Sequence, residues 1–428
     1  MRKTGRGWKG ILSLVLAALL MLTGTAAAEN TAETEDMAET PGTEEEAGLP
    51  ETEDTEDPEE WFSAEELTAG CTFRSNGSSK DYSLMTDGDV GTYLPLREKK
   101  AEMTISGREP MGGIYVMVFD KFGRGYAYDL QVRDGDGWKT VDQGGKYLVH
   151  YHELAEPAEE VKIVPTGKER LRIAEIRVFG PGEPPAEVQR WETLEKCDLM
   201  LLTAHPDDEI LWFAGLMPTY AGERGYRLQL TVMVPTGAQR KLELLQAMWH
   251  CGVKYYPDML GFVDKNGQNP ERQYSLWRGK GRVIGKVVEA IRKHQPEVLV
   301  THGEKGEYGH GAHKTAADAA KTAIRATGSA KKYPNSAEKY GTWEVRKLYL
   351  HEYEKNPIVC DWDQPLDAFG GKTGYEVAAE AFAFHGSQVR RDWEFEVHGK
   401  HDNAQFGLYF TSVGKDSGIG DLMENIGQ

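Results

Sequence analysis

The residues with the clearest chemical potential lie at 204–209, where the sequence reads AHPDDE. The apolar run LMLL at 199–202 precedes them and predicts a buried strand that ends here. In an open parallel sheet, the functional groups lie at the carboxyl ends of the strands. His205 and Asp208 have the spacing to bind one divalent ion, which leaves Asp207 free to transfer protons.

A second polar segment, THGEKGEYGHGAH at 301–313, follows the apolar run at 298–300 and precedes a predicted helix. It therefore lies at the end of another strand, and His310 and His313 are expected to face the same crevice as His205. Two histidines and one carboxylate, with water in an open position, make a catalytic zinc site. The two clusters together indicate a metal-dependent hydrolase.

This pair of motifs resembles the PIG-L (LmbE-like) deacetylases, metal-dependent enzymes that remove the acetyl group from N-acetylglucosamine-containing substrates. The resemblance covers about residues 195–428 and is carried chiefly by the AHPDDE motif. It implies that His205, Asp208 and His313 bind a zinc ion. It also implies that Asp207 is the general base.

The same resemblance makes His310 the general acid or an electrostatic stabiliser, and Tyr308 a donor to the oxyanion. Many members of the family have Pro-Asp between the two final histidines, where this sequence has Gly311 and Ala312. Without that carboxylate, His310 is expected to be less strongly biased towards its protonated form, unless Glu307 approaches it.

Three further residues have candidate roles beside this site. Arg240 begins a predicted helix, where it either contacts the substrate or has a structural role. His385 belongs to the segment HGSQ, which resembles a feature near the end of the PIG-L family and predicts substrate contact. Glu209 either orients a ligand or interacts with the helix dipole.

Strands and helices alternate after residue 195, which predicts an α/β Rossmann-like, mostly parallel sheet. The predicted strands are 198–203, 228–234, 298–302 and 347–351. The predicted helices are 211–221, 240–251, 281–294, 312–326 and 375–384.

Residues 61–180 have a different sequence pattern, with short apolar runs separated by Gly, Asp and Asn. This pattern predicts an all-β antiparallel sandwich. The segments LMTDGDVGTY at 84–93 and AEIRVFG at 174–180 resemble landmarks of the discoidin (coagulation factor 5/8 type C) galactose-binding-like domains. That resemblance implies a structural Ca²⁺ ion, and its implied ligands are Asp87, Asp89, Thr92 and Glu175.

Two alternatives stay open for this region. Residues 86–88 are either part of a calcium site or only a turn, since oxygen ligands suit Ca²⁺ and Asp-Gly suits a turn. The aromatic residues Tyr126, Tyr128 and Trp138 either stack on sugars or fill the core.

The chain begins with a basic segment, a twelve-residue run that is apolar except for Ser13, and three alanines at 26–28, which predict a secretory signal peptide over 1–28. Residues 29–60 contain fifteen acidic residues and no Lys or Arg, as is typical of a disordered linker. A second linker is predicted at 181–194. We therefore expect a secreted protein with no membrane span after the signal is removed.

The remaining chain has 46 basic and 53 acidic residues, so its charge does not favour nucleic acid as a partner. The four cysteines match no metal motif, and we expect most to be buried free thiols. The partner expected from the resemblances is an amino-sugar glycan. The alternatives are a catalytically silent glycan-binding or adhesin protein, and a zinc amidase or esterase with a non-sugar acyl substrate.

Overall fold

The computed structural model describes residues 63–77, 81–96, 101–120, 126–418 and 420–427. The predicted signal peptide and the acidic linker lie outside these residues. Among the helices in these ranges, none is both long enough and apolar enough to cross a bilayer.

The N-terminal part forms an antiparallel sheet in which seven strands are linked by hydrogen bonds. Its strands are β1 (Thr72–Ser75), β2 (Leu94–Pro95), β3 (Met103–Val118), β4 (Tyr128–Asp134), β5 (Gly137–Gly144), β6 (Val149–Pro165) and β7 (Arg172–Phe179). The order is β2-β7-β3-β6-β4-β5, and β1 pairs with β3. The predicted antiparallel pairing is confirmed, whereas the two-layered sandwich stays a prediction.

This sheet bends back on itself, because β3 and β6 are long and contain register shifts. Tyr128 on β4 reaches across to His152 on β6, where the hydroxyl oxygen lies 2.9 Å from Nε2. The enclosed side chains, among them Ile105, Ile114 and Ile163, are fully buried. The bend thus creates a core within one hydrogen-bonded network of strands.

The second sheet is mixed and contains the strands that we predicted to be parallel. Its strands are β8 (Leu199–Thr203), β9 (Leu228–Val232), β10 (Asp258–Met259), β11 (Val298–Thr301), β12 (Lys347–His351), β13 (Pro357–Val359) and, later in the chain, Gln405–Thr411. The strands from β8 to β12 pair in parallel, in the order β10-β9-β8-β11-β12. Every residue of β8 is buried, as expected for a strand with both faces covered.

The remaining strands complete the sheet and add a small hairpin. Strands β14 (Pro365–Leu366) and β15 (Lys372–Thr373) form the hairpin, and β16 is the strand Gln405–Thr411. β16 pairs antiparallel with both β12 and β13, so the mostly parallel sheet has an antiparallel edge.

Helices cover the mixed sheet at positions close to those predicted. They are α1 (Asp208–Leu211), α2 (Ala238–His250), α3 (Pro270–Leu276), α4 (Lys280–His294), α5 (Gly311–Thr327), α6 (Pro334–Tyr340), α7 (Gly374–Ala383) and α8 (Gly386–Val389). The predicted helix 211–221 is interrupted at 212–215, and residues 216–221 are helical. α1 ends at Leu211, Ala214 has a φ of 34°, and a separate helical turn follows at Pro218–Glu223.

The two sheets share one hydrophobic core. Tyr115 and Phe179 of the N-terminal sheet belong to the same buried cluster as Leu201 of β8. Val188 and Trp191, within the predicted linker 181–194, are also buried in this cluster. These two residues of the linker therefore pack against folded structure. All four cysteines lie in the described ranges as free thiols, with Cys71 half-buried and the other three buried.

Candidate metal centre and active site

Three neighbouring parallel strands bring histidines to one edge of the mixed sheet. His302 directly follows β11, His351 is the last residue of β12, and His205 lies two residues after β8. The strands are aligned, since Thr301 of β11 pairs with Leu202 of β8. Their carboxyl ends therefore deliver polar side chains to a common crevice, as predicted.

Three side chains form a triangle in this crevice, in which the two carboxylate oxygens of Asp208 each face one of two imidazoles. His205 Nδ1 lies 3.4 Å from Asp208 Oδ2, His313 Nε2 lies 3.4 Å from Asp208 Oδ1, and the two nitrogens are 3.4 Å apart. Tetrahedral zinc with bonds of about 2.0–2.1 Å places its ligands about 3.3–3.4 Å apart. We call His205, Asp208 and His313 the edge cluster, and its donor types and the proximity of its side chains suit a zinc ion.

The charge of the surroundings also suits a cation. Burial lowers the pKa of His313, but Asp208 and Glu307 outweigh burial and raise it to about 10. Burial raises the pKa of Asp208, but His313 and His302 outweigh burial and hold it well below its ordinary value. Asp208 is thus an anion, and the local field favours positive charge at the triangle.

Asp208 is held in place by several donors. Its Oδ2 accepts hydrogen bonds from the backbone N–H groups of His205 at 2.7 Å and Ala204 at 3.1 Å. Its Oδ1 accepts a hydrogen bond from Trp212 Nε1 at 3.0 Å. These contacts fix the carboxylate in one orientation relative to the two imidazoles.

Glu307 is the hub behind the cluster, and sequence reasoning missed this role. Its carboxylate is within 2.7 Å of Nδ1 in both His302 and His313, and 2.6 Å from Nδ1 of His351. The contact with His313 makes Nδ1 the donor and leaves Nε2 facing the triangle. We considered Glu307 as a partner for His310, whereas the structure places it beside His313.

His302 lies next to the edge cluster without a free nitrogen. Its Nε2 accepts the backbone N–H of Ala204 at 3.0 Å, and its Nδ1 faces Glu307. Its ring stacks on that of His313, with centroids 4.2 Å apart. Although His302 is close enough to Asp208 and His313 to be a candidate ligand, these contacts favour a supporting role.

Asp207 occupies an unusual position beside the triangle. Its backbone has a φ of 109°, and its backbone N–H donates to Glu209 Oε2 at 2.8 Å. Arg240 donates to Asp207 Oδ1 at 2.9 Å and to the Pro206 carbonyl. Burial raises the pKa of Asp207 to about 7, although Arg240 opposes this shift. A carboxyl group with that pKa can exchange a proton near neutral pH.

His310 caps helix α5 at the mouth of the crevice. Its Nδ1 accepts the backbone N–H of Ala312 at 3.3 Å. Burial, with His313 and His205, lowers the pKa of His310 to about 3. This direction agrees with the expectation drawn from Gly311 and Ala312, which supply no carboxylate to stabilise the imidazolium.

Tyr308 lies over the cluster, and 47% of its surface is exposed. Its ring centroid is 5.2 Å from that of His313 and 5.5 Å from that of Trp393. Burial, with Asp208 and Asp207, raises the pKa of Tyr308, so the phenol stays a proton donor. A cavity of about 310 Å³ adjoins it, and its lining includes Trp212, Trp393, Glu394, Glu396 and His401.

Arg240 and His385 have neighbours other than a substrate. Arg240 holds Asp207, and its contact with a substrate stays a prediction. His385 is completely buried, and its Nε2 lies 2.7 Å from Glu209 Oε1. It therefore has no surface to offer a substrate, and it positions Asp207 through Glu209.

The predicted calcium ligands are partly brought together in the N-terminal sheet. Thr92 Oγ1 donates to Asp87 Oδ2 at 3.0 Å, and Asp89 Oδ1 accepts the Gly91 backbone N–H at 2.8 Å. Glu175 is 6% exposed, and its Oε1 has no hydrogen-bond partner in the described ranges. Burial and the nearby Asp87 raise the pKa of Glu175 to about 8. The group has the crowded oxygens that a hard cation relieves.

The aromatic residues of this sheet are mostly core. Tyr126 and Tyr128 are buried at 3% and 1% exposure. Trp138 is half-buried, with Lys162 Nζ 4.2 Å from its ring centroid. These positions favour packing over the stacking on sugars that we considered.

A mostly parallel α/β sheet with a buried His₂Asp cluster, and a titratable carboxyl group beside it, resembles the sites of metal-dependent hydrolases. Residues 200–324 match the PIG-L family, which is described as GlcNAc-PI de-N-acetylase. This stretch contains the edge cluster, Asp207, Glu307, Tyr308 and His310.

Three curated proteins are similar to this chain. The 1D-myo-inositol 2-acetamido-2-deoxy-alpha-D-glucopyranoside deacetylase 1 of Catenulispora acidiphila is 28% identical, over 43% of this chain and 64% of that protein. A 1D-myo-inositol 2-acetamido-2-deoxy-alpha-D-glucopyranoside deacetylase of Geodermatophilus obscurus is 25% identical, over 54% of this chain and 87% of that protein. The mycothiol S-conjugate amidase of Streptomyces coelicolor is 28% identical, over 37% and 62%. The chain thus spans less than two thirds of the first and third relatives.

Proposed function

We propose that this protein is a metal-dependent N-deacetylase that hydrolyses the acetamide of an N-acetylglucosamine-type sugar. The observation that carries the proposal is the proximity of the three side chains of the edge cluster, with Asp207 beside them. The match of residues 200–324 to the PIG-L family and the names of two relatives support the choice of substrate.

A zinc ion bound by His205, Asp208 and His313 would polarise the amide carbonyl and lower the pKa of its water towards about 7. The chain's own residues then move the protons and hold the geometry. Asp207 accepts a proton from the attacking water through Oδ2, because Oδ1 is bonded to Arg240.

Attack of water on the carbonyl forms the carbon–oxygen bond and a tetrahedral oxyanion. Its collapse breaks the carbon–nitrogen bond, and the products are acetate and the free amine. Asp207 returns its proton to the leaving nitrogen. His310 Nδ1 is occupied by a backbone N–H, so Nε2 is the atom that contacts the reacting amide. The Tyr308 hydroxyl donates to the developing oxyanion.

The cavity beside Tyr308 is the proposed site for the sugar ring. Trp212, Tyr308 and Trp393 lie around it, and aromatic faces suit the apolar face of a pyranose. Glu394 and Glu396 supply carboxylate oxygens that can accept hydrogen bonds from sugar hydroxyls.

We extend the proposal to the rest of the chain. The signal peptide exports the protein, and the N-terminal sheet binds glycan with a structural Ca²⁺ at Asp87, Asp89, Thr92 and Glu175. The unpartnered Glu175 Oε1 supports the calcium site. Recovery of the mature protein, beginning at Glu29, from the culture medium would support export, and retention of the uncut chain in the cell would contradict it.

An acetate-release assay over defined N-acetylglucosamine glycans, with metal analysis of the same sample, tests the proposal. We expect acetate release that is lost on chelation and restored by Zn²⁺. Glycan binding without acetate release would favour the silent binding protein. Activity confined to non-sugar acyl substrates would favour the amidase, a class to which the Streptomyces coelicolor relative belongs by name.

A further inference from the structure

A second group of two histidines and one aspartate lies in the N-terminal sheet, away from the elements of the edge cluster. His150 and His152 are two residues apart on β6, so their side chains point to the same face. Asp142 approaches them from β5. One ligand atom from each residue lies within 4.8 Å of the others. We call these three residues the bulge cluster.

A β-bulge at Val141 sets the direction of Asp142. Leu130 pairs with Asp142, whereas the next residue, Gln131, pairs with Thr140, so Val141 is an extra residue in β5. Bulges commonly re-aim a neighbouring side chain at functional sites. Here the shift accompanies a carboxylate directed at two imidazoles.

The distances suit a metal ion with little rearrangement. His150 Nε2 lies 3.4 Å from Asp142 Oδ2, which is the spacing found in the edge cluster. His152 Nδ1 lies 2.8 Å from the same oxygen, as in a hydrogen bond. Asp142 is 40% exposed, so its carboxylate has room to rotate and open this second distance. The ligand types, two imidazoles and a carboxylate, are those of Zn²⁺ and related first-row ions.

His150 is poorly satisfied by the protein alone. Its Nδ1 is shielded from solvent and has no hydrogen-bond partner among the described residues. Its Nε2 is too far from Asp142 for a normal hydrogen bond. Its ring stacks on that of His152 at 4.2 Å and 16°, which would oppose two imidazolium charges. A metal ion would give Nε2 a close partner in place of this long contact.

The other nitrogen of His152 is already oriented. Its Nε2 lies 2.9 Å from the hydroxyl oxygen of the buried Tyr128. With a metal on Nδ1, this Nε2 carries the proton and donates it to Tyr128. Metal-bound histidines typically have such a partner on their second nitrogen.

We propose that Asp142, His150 and His152 bind a second divalent transition-metal ion, with Zn²⁺ as the favoured ion and water in the open position. The proposal does not depend on the deacetylase activity. Lys146 is a nearby cation whose charge disfavours a positive charge on His150. Its Nζ lies 4.9 Å from the ring centroid of Tyr147.

Zinc counting on the full chain tests the proposal. Chelator-stripped protein is reloaded with Zn²⁺ in excess Ca²⁺, which occupies oxygen-only sites, and bound zinc is measured by mass spectrometry. We expect two zinc ions per chain in the wild type and one in Asp142→Asn. The matched control Asp134→Asn, an exposed aspartate on the same sheet, should keep two.

Two further variants separate the sites and guard against misfolding. Asp208→Asn combined with His313→Ala should keep one zinc ion, and Co²⁺ bound to this variant should show ligand-field absorption that Asp142→Asn then removes. Tyr128→Phe, which keeps all three ligands, should weaken zinc binding at this site about 10–100-fold. Circular dichroism and melting temperature identify any variant that fails to fold.

A wild-type protein that binds no zinc, or whose bound zinc is unaffected by Asp142→Asn in a folded variant, would overturn the proposal. The bulge cluster would then be a hydrogen-bonded core group only. A single zinc ion that Asp142→Asn removes would support the proposal. Acetate release provides an independent readout. Asp142→Asn should leave it unchanged, because Asp142 does not belong to the edge cluster.

Discussion

The edge cluster and the bulge cluster contain the same residue types in different surroundings. In the edge cluster, the side chains of His205 and Asp208 are 8% and 3% exposed. In the bulge cluster, His150 and Asp142 are 22% and 40% exposed. Buried ligands with fixed orientation suit a site that must hold reacting atoms, whereas a half-exposed cluster suits a site that only holds an ion.

The support behind the ligands differs as well. A buried carboxylate, Glu307, orients three histidines behind the edge cluster, and Trp212 orients Asp208. Behind the bulge cluster, Tyr128 contacts His152. Ligand identity alone therefore does not distinguish a catalytic site from a structural one, and we expect the surroundings of the ligands to do so.

Removing the proton-transferring carboxylate should have the largest effect. Asp207→Asn should lower acetate release by about 10²–10⁴-fold, because an amide cannot act as the base. Bound zinc should be unchanged, since Asp207 is not a ligand in the triangle. The matched change beside the other site, Asp142→Asn, should leave turnover intact. Activity of Asp207→Asn within a few-fold of wild type would mean that the base is another residue.

Replacing the hub should weaken the edge cluster. Glu307→Gln keeps the size of the side chain but cannot accept hydrogen bonds from three imidazoles through two carboxylate oxygens. We expect zinc affinity, measured by competition with a chelator, to fall about 10–100-fold. Glu304→Gln, a 43% exposed residue in the same loop, is the control. Equal zinc affinities in the two variants would show that Glu307 does not support the edge cluster.

Calcium should stabilise the N-terminal sheet without affecting the histidine sites. At ten times its dissociation constant, Ca²⁺ should add about 1.4 kcal/mol to the free energy of unfolding, seen as a rise in melting temperature. Glu175→Gln should abolish this rise, whereas Glu187→Gln, with a 62% exposed side chain, should keep it. A rise of the same size in both variants would place the calcium elsewhere.

The smallest effect is expected from a single hydrogen bond to a ligand. Trp212→Phe keeps an aromatic ring but removes the donor to Asp208 Oδ1. We expect zinc binding to weaken by about 1 kcal/mol, or roughly fivefold. Trp249→Phe, which loses a hydrogen bond to the Ala186 carbonyl, serves as the control. A loss as large as that of Glu307→Gln would show that support is spread evenly around the cluster.

Sequence reasoning could find the edge cluster because its residues lie in segments that follow the ends of parallel strands. Apolar runs marked strands such as Lys347–His351, which has the predicted bounds. Parallel pairing then places the residues that follow each strand at one edge. The resemblance to the PIG-L deacetylases then implies His205, Asp208 and His313 as the ligands among them. Their proximity in the structure agrees with that reasoning.

The supporting residues were missed for a physical reason. His302 and His351 also lie at strand ends, and that signal was available. Glu307, however, becomes a hub only when two strand ends and helix α5 converge on one point. The interruption of the helix predicted at 211–221 was missed because the apolar run continues through Ala214, and no local pattern indicates the positive φ of that residue.

The bulge cluster was harder to predict from the sequence than the edge cluster. The spacing of His150 and His152 was visible, but their third partner depends on an extra residue in a neighbouring strand. Tyr128 reaches them because the sheet bends back on itself. Contacts of this kind depend on tertiary structure and not on local periodicity.

The backbone of Asp207 has a consequence for how this protein can change over time. A φ of 109° is a conformation that glycine adopts freely and other residues adopt at a cost of about 1–3 kcal/mol. Selection for heat resistance alone would therefore favour glycine at this position and discard the proton acceptor. Retention of aspartate there would mark a lineage in which turnover, and not stability, is under selection.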